Sequence, residues 1–504
     1  MESLYANGDA KYDAKRLDSR WILLITGVIL MSALWYYKIL PHDLWIDEVF
    51  TSNLVNNNMS TVIDLSAKDM HPPLYNIMSR LFTYIFGLST LSLRTFSFLA
   101  YAGLVLLSLF RIREILGDKT AMAFLFLVTF TPVMYTYVLE IRMYAWANLF
   151  ITICTVYAYL FIKEKRLSCL IIMCVSGIAA AYTHYYALVT VAIIYAVLLA
   201  HLIYKKYYAE IKKLAICIIA SIAVYIPWVI IFLRQFDAFS SRVYIPPVKW
   251  YEFLMLPASY YIIGNFRSDT FDITYFWFSL PIVFCAAILV VGLFYRLLKD
   301  KFEFSLPFLS LAIFVLTALF FISFSIAVKP LFKYRYFMCL FGLICIFLSY
   351  SFAYLKPKII PMIIVVVFIS TSIFNIYLKG IVYDNAPVTM LCSYISELSE
   401  KTGNDIWIVC EEEDSAYPNL VYYLRDEKVS ILEKLPDASA AYAEEGWIVS
   451  FTRHNAGSNT MASKDWVLET VAKSPTAYKV IEELSYYSNL WNGDLFAVRV
   501  KRIT

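Results

Sequence analysis

Residues 21–50 read WILLITGVILMSALWYYKIL followed by PHDLWIDEVF. The first part is apolar and long enough to cross the ~30 Å hydrocarbon core as a helix. The second part ends on two adjacent carboxylates, Asp47 and Glu48, in the loop that follows this span. Just upstream lie Lys11, Lys15, Arg16 and Arg20. Basic residues flank membrane spans on the cytoplasmic side, so the N-terminus is expected inside and the Asp47–Glu48 loop outside. The apolar run exceeds the core of a cleaved signal peptide and has no small-residue cleavage site, so it is expected to stay as the first span.

The same pattern repeats downstream. The chain has 504 residues, 61% of them hydrophobic, against roughly 45–50% in soluble domains. The excess is concentrated in runs of about 18–22 residues. These runs lack the alternation of barrel strands, which leaves helices as the spanning element. Further spans are expected near 92–110, 120–138, 144–162, 168–182, 186–203, 214–233, 276–295, 305–327, 337–354 and 359–377. That makes about eleven, and each connection assigned to the inside carries clustered Lys or Arg. Segment 72–87 differs. It opens with Pro72 and Pro73, which suit a first helical turn. Asn76, Ser79, Arg80 and Thr83 then form a polar stripe, as expected of a helix lying in the interface.

Net charge is only +4, which gives no argument for a nucleic-acid partner. Of nine cysteines, most fall inside apolar runs as small buried side chains. Cys392 and Cys410 lie in the polar tail, where pairing is open. From about Gly380 the composition turns polar. Ile406–Cys410, Gly446–Phe451 and Leu495–Lys501 read as strands, and 387–401 and 463–473 as amphipathic helices. The expected architecture is a multi-pass α-helical membrane domain, 1–378, with a small extracytoplasmic α/β domain, 379–504.

Polar constellations recur at the expected outer ends of spans: Asp47/Glu48 with His71, Glu140/Arg142/Tyr144, His184 among tyrosines, and Lys329/Lys333/Arg335. Ionisable groups at such positions are costly unless they serve a site. The last cluster also runs against the charge bias of outer loops. It either anchors a helix end by snorkelling or meets an anionic ligand. Residues two apart do not share a helix face, so Glu140 and Tyr144 are expected inward while Arg142 pairs elsewhere. A carboxylate can take a proton from an attacking hydroxyl. Arg and Lys can hold a phosphate as negative charge grows on it.

Asp47-Glu48, His71-Pro72-Pro73-Leu74-Tyr75, Glu140-Ile141-Arg142-Met143-Tyr144 and Thr183-His184-Tyr185-Tyr186, in that order, resemble the C superfamily of membrane glycosyltransferases (GT-C). The similarity is to its protein O-mannosyltransferase and aminoarabinose-transferase branch, over roughly residues 20–355. The resemblance implies a polyprenyl-phosphate-sugar donor, a glycan, lipid or protein acceptor, and inverting transfer at the outer face of the cell membrane. It implies Asp47 as general base or acceptor-orienting carboxylate, with Glu48 as helper. Lys329, Lys333 and Arg335 would hold the donor phosphate, assisted by His71. Glu140, Arg142, Tyr144 and His184 would shape the substrate site. Some members bind a divalent metal near the carboxylates. Here Asp47, Glu48, His71 and His184 could supply ligands, although no metal-type spacing marks them. The competing readings are a multi-span transporter and a lipid-carrier flippase or binding protein. The first expects ionisable groups at mid-membrane on broken helices, and the second has no need of Asp47.

Overall fold

The structure, a computed structural model, describes residues 19–242, 247–249, 252–262, 273–299, 304–383, 387–402, 405–409, 423–424, 429–432, 445–453, 467–469, 471–472, 478–488 and 493–503. In chain order the helices are α1 (Ser19–Ile39), α2 (Ile46–Val55), α3 (Met59–Lys68), α4 (Leu74–Phe86), α5 (Thr90–Leu107), α6 (Arg113–Leu116), α7 (Asp118–Phe130), α8 (Val133–Tyr137), α9 (Tyr144–Glu164), α10 (Leu167–Ala181), α11 (Tyr185–Tyr204), α12 (Tyr208–Arg242), α13 (Glu252–Ser259), α14 (Ile273–Lys299), α15 (Leu306–Ala327), α16 (Phe341–Phe352), α17 (Ile359–Tyr383) and α18 (Pro387–Thr402). A π-helical turn (Ser108–Ile112) joins α5 to α6, and a 3-10 turn (Tyr334–Leu340) leads into α16.

Each expected span coincides with a helix. Among the described residues, nine helices are long and apolar enough to cross a membrane. The other two are shorter: α7 has 13 residues, fewer than expected, and α10 has 15, as expected, about 20 and 22 Å at 1.5 Å per residue. The cause at α7 is Thr131-Pro132. Proline has no N–H and disfavours helix at the residue before it. The carbonyls left over are met from α17, where Ser372 Oγ donates to Phe130 O and Asn375 Nδ2 donates to Pro132 O (3.1 Å).

Helix α4 inverts the pattern of a soluble helix. Asn76, Ser79 and Thr83 are buried, while Leu81, Tyr84, Ile85 and Phe86 are exposed. Its stripe therefore faces protein, and Asn76 Nδ2 donates to Ser66 Oγ on α3 (2.9 Å). Gly87, after α4, and Gly117, before α7, have φ of +76° and +81°. Glycine adopts this conformation without steric cost. Gly342 serves differently, at a close approach. Its N–H donates to Asn148 Oδ1 (2.7 Å), and an added Cβ would stand 2.1 Å from Thr152 Oγ1. Small residues at such crossings let membrane helices meet backbone to side chain. Here the contact seats the Tyr334–Leu340 turn against α9.

Beyond α18 lies a mixed five-stranded sheet of order β2-β1-β3-β5-β4, with β1 (Asp405–Val409), β2 (Val429–Leu432), β3 (Glu445–Arg453), β4 (Tyr478–Ser488) and β5 (Gly493–Arg502). β1 runs parallel to β2 and β3; β5 pairs antiparallel with β3 and β4. Three of the strands were expected; β2 and β4 were not. The expected helix at 463–473 falls partly outside the described residues, as does Cys410. Alternation along the strands divides two cores. Trp447, Val449, Leu495 and Ala497 join Leu44, Val49, Leu54, Val55, Val62 and Ile141, whereas Ile448, Phe496, Val498 and Val500 pack on Val467 and Val471. One face of the sheet thus shares a core with the α2–α3 region.

Candidate active site

The site is built from α2 outward. Trp45 is extended (φ −79°, ψ 165°), and its N–H donates to Glu48 Oε2 (3.1 Å). A Glu at the third helical position reaching back in this way starts a helix and satisfies an orphan donor. The same reach turns Glu48 inward, where Ile141 N–H donates to Oε1 (3.0 Å) and Arg94 Nη2 stands 4.0 Å from Oε2. Arg94 also donates to the carbonyls of Ile39 and His42. Glu48 and Arg94 are 2% and 1% exposed. Glu48 is therefore a brace between α2, α5 and the Glu140–Ile141 turn, and not a helper open to substrate. Arg94 escaped the sequence reading. Its signal was a lone arginine early in an apolar span.

Asp47 faces the other way. Its Oδ2 lies 3.4 Å from Arg335 Nη1, with side-chain exposures of 30% and 16%. The residues are 288 apart in the chain. Arg335 also stands over the rings of Trp45 (5.8 Å) and Tyr336 (5.5 Å). Arg142 underlies Asp47. Its Nη1 donates to Thr51 Oγ1 (2.9 Å) and to Asp47 O (3.4 Å), and Thr51 Oγ1 donates to Asp47 O (2.9 Å). Neither Arg142 Nε nor Arg335 Nε has a hydrogen-bond partner.

Glu140, Arg142 and Tyr144 do not share a helix, contrary to the spacing expectation. Residues 140–143 form a turn in which Arg142 N–H donates to Glu140 O (2.7 Å), and the helix begins only at Tyr144. All three side chains are buried. Glu140 lies close enough to Tyr75 and Tyr144 to act on both electrostatically. Burial pushes the Tyr75 phenol up from its ordinary value, so it stays a hydroxyl, hydrogen-bonded with Ser97 Oγ (2.9 Å). Asp69, which the sequence reading passed over, exerts its charge on Arg142 and Tyr185.

Beside this charged rim opens a cavity of about 160 Å³ between α11, α12 and α15, walled by Leu188, Phe232, Phe236, Phe321, Phe324 and Leu331. His71, His184 and Tyr336 line it at the rim end. The two imidazoles stack with centroids 5.4 Å apart. His184 caps α11, and its Nδ1 accepts from Tyr186 N–H (3.1 Å). In the neutral ring that leaves the proton on Nε2, which is buried and has no partner. Burial, reinforced by Arg142 and Arg335, holds His184 at about 3, and burial with Arg142, His184 and Arg335 holds His71 well below its usual value. Both rings stay uncharged at neutral pH. Tyr144 Oη is likewise buried without a partner.

The late basic residues do not converge on one point. Arg335 meets Asp47, and Lys333 is 8% exposed. Lys329 Nζ donates to Phe236 O and sits 4.6 Å over the Phe236 ring on the cavity wall. No group of three or more His, Cys, Asp or Glu able to hold a metal ion occurs among the described residues. With Glu48 committed to Arg94 and Ile141, the four side chains named as potential metal ligands do not form a set.

Residues 70–231 match the family model PMT_2, the dolichyl-phosphate-mannose-protein mannosyltransferases. The fold is similar to the crystal structure of ArnT from Cupriavidus metallidurans in the apo state. The TM-score is 0.59 at 11% identity, covering 95% of this chain and 97% of that one. Against ArnT from Cupriavidus metallidurans bound to undecaprenyl phosphate, the TM-score is 0.55 at 11% identity, with 94% and 97% covered. No curated protein sequence matches the chain. The family match takes in the stretches at His71, Glu140 and Thr183 but not Asp47-Glu48, and the similarity to ArnT over nearly the whole length is one of fold.

Proposed function

We propose, from the glycosyltransferase family match and the ArnT-like fold, that this chain transfers a sugar from a polyprenyl-phosphate carrier to a hydroxyl of a glycan, lipid or protein. The observation that carries the reading is the Asp47–Arg335 pair, 3.4 Å apart, with Arg335 over the ring of Tyr336, which lines an aromatic cavity. The isoprenoid tail lies in that cavity, whose walls are almost wholly apolar. The phosphate sits at the rim, within reach of Arg335 Nε, Lys333 and the Nε2–H of His184. Lys329 steadies the cavity wall.

Asp47 orients the acceptor hydroxyl and takes its proton as that oxygen attacks the anomeric carbon from the face opposite the phosphate. The bond from anomeric carbon to phosphate oxygen breaks, and the electron pair leaves with the polyprenyl phosphate. Positive and neutral donors fixed in place stabilise the charge that grows there, and the anomeric configuration inverts. His184 suits this task because it donates a hydrogen bond without carrying a proton that could be lost. Glu140, Arg142 and Tyr144 shape the sugar side of the pocket.

The lysines and arginines of the alternate connections put the N-terminus in the cytoplasm. The site, with α18 and the sheet as a separate 379–504 domain, is then extracytoplasmic, in the cell membrane. Mass spectrometry of glycans and glycolipids from a deletion strain tests the reading. One sugar substituent should vanish while its polyprenyl-phosphate donor accumulates; unchanged glycans and carrier pools would sink it.

A further inference from the structure

Four residues before Asp47, the chain is held from the far end of the sequence. Asp43 is 5% exposed. Its Oδ2 accepts from Val388 N–H (3.0 Å), and its Oδ1 accepts from both the N–H (3.0 Å) and the hydroxyl of Thr389. These donors belong to the first turn of α18, so Asp43 caps a helix some 345 residues downstream. The neighbouring Leu44 N–H donates to Tyr423 Oη (2.7 Å). From the other side, Arg94 holds the carbonyls of Ile39 and His42. The loop between α1 and α2 is therefore clasped on both sides, and α2 itself shares a core with Val388, Leu391, Ile395 and Trp447.

The residue type matters. Three donors point at Asp43, and the polar atoms named here offer its carboxylate nothing but donors. Only an acceptor-only group satisfies this arrangement; an amide would turn its NH₂ toward an N–H. The Asp47–Arg335 contact, by contrast, is long and partly solvated, and such pairs contribute little. It cannot by itself fix where α2 points.

We infer that Asp43, through its three hydrogen bonds to α18 and with Tyr423 at Leu44, is a positioning residue that holds Asp47 in register with Arg335. The sheet region thereby becomes part of the transfer machinery. The inference rests on the reading of Asp47 as the acceptor-facing carboxylate. A shift of about 1 Å in a reacting group costs on the order of a hundredfold in rate.

The test uses the full chain in lipid nanodiscs, comparing wild type with Asp43→Asn and Tyr423→Phe. Undecaprenyl phosphate is the binding probe, and an undecaprenyl-phosphate-linked sugar turned over by the wild type is the donor. Amide exchange over residues 44–52 should rise in both variants, more in Asp43→Asn. Undecaprenyl phosphate should bind within about twofold of wild type, which counts the folded molecules. Per lipid-binding molecule, kcat should fall at least about tenfold in Asp43→Asn and about threefold in Tyr423→Phe, with KM for donor unchanged. Should Asp43→Asn fail to fold, Tyr423→Phe carries the test alone. Unchanged exchange, or faster exchange with wild-type kcat, overturns the inference. Asp47→Asn is assayed alongside: its inactivity with unaltered clasp variants condemns this inference only, whereas full activity of Asp47→Asn removes the reading beneath it.

Discussion

The two sides of α2 carry adjacent carboxylates into opposite surroundings. Behind the helix, Glu48 is closed in by Arg94, Ile141 N–H and Trp45 N–H. In front, Asp47 keeps one long ion pair with Arg335 and stays 30% exposed. One step along a helix turns a side chain by about 100°, enough to separate a structural charge from a chemical one. On the closed side the Glu48 carboxylate satisfies the N–H groups of Trp45 and Ile141, although Arg94 Nε has no hydrogen-bond partner. The open side leaves Arg142 Nε, Arg335 Nε, His184 Nε2 and Tyr144 Oη without partners. Buried polar groups are normally paired, and those that are not call for a ligand or water.

Substitution can break this contrast. Asp47→Asn should lower sugar transfer about 10²–10⁴-fold, the usual share of a general base. The melting temperature should barely move, because a part-exposed pair is worth about 0–1 kcal/mol. Glu48→Ala should do the reverse. It takes the ion-pair partner from the buried Arg94 and should cost up to about 3–5 kcal/mol of stability. Removing the partner as well, in Glu48→Leu with Arg94→Met, should restore much of that loss. If Asp47→Asn melts the protein while Glu48→Ala folds normally and is inactive, the assignment of the two faces is inverted.

The rim histidines give a smaller, pH-dependent effect. His184 is held near 3 in the folded protein, against about 6.5 when unfolded. Its neutral form contributes stability fully present above about pH 6.5 and lost as pH falls toward 3, at about 1.4 kcal/mol per unit. Thermal melts between pH 7.5 and 5 should show this slope. His184→Asn, which keeps a capping acceptor for Tyr186 N–H, should reduce the slope to the share His71 carries, and an unchanged slope would mean that His184 has no part in the acid sensitivity. Smallest of all should be Lys329→Gln. Its ammonium is committed to Phe236 O, so undecaprenyl phosphate should bind no more than about threefold more weakly, where a direct charge-assisted contact would cost more. Titration of the variant with that lipid decides between the two.

The helices were legible because lipid demands apolar length, and basic clusters mark alternate ends whatever the tertiary structure. The meeting of Asp47 with Arg335 could be inferred from their expected side of the membrane. The roles of Glu48 and Arg94 could not, because which of two neighbouring carboxylates turns inward depends on where Ile141 and α5 arrive. The Glu140–Arg142 turn was misjudged because helical spacing was applied to residues lying just ahead of the helix. The clasp at Asp43 is invisible to local pattern, since its donors lie hundreds of residues away. β2 and β4 were not legible because β2 has only four residues and β4 carries Lys479, Glu482 and Glu483 along its length.

Helix α7 is too short to match a bilayer, yet ten of its thirteen residues are buried, so lipid hardly touches it. Its length is therefore set by the protein around it and not by the bilayer. Exposed helices such as α12 and α14 meet the acyl chains and absorb any change in their length by leaning. Moving this protein between thin and thick host membranes should alter the slant of its periphery while leaving the spacing of Asp47 and Arg335 intact.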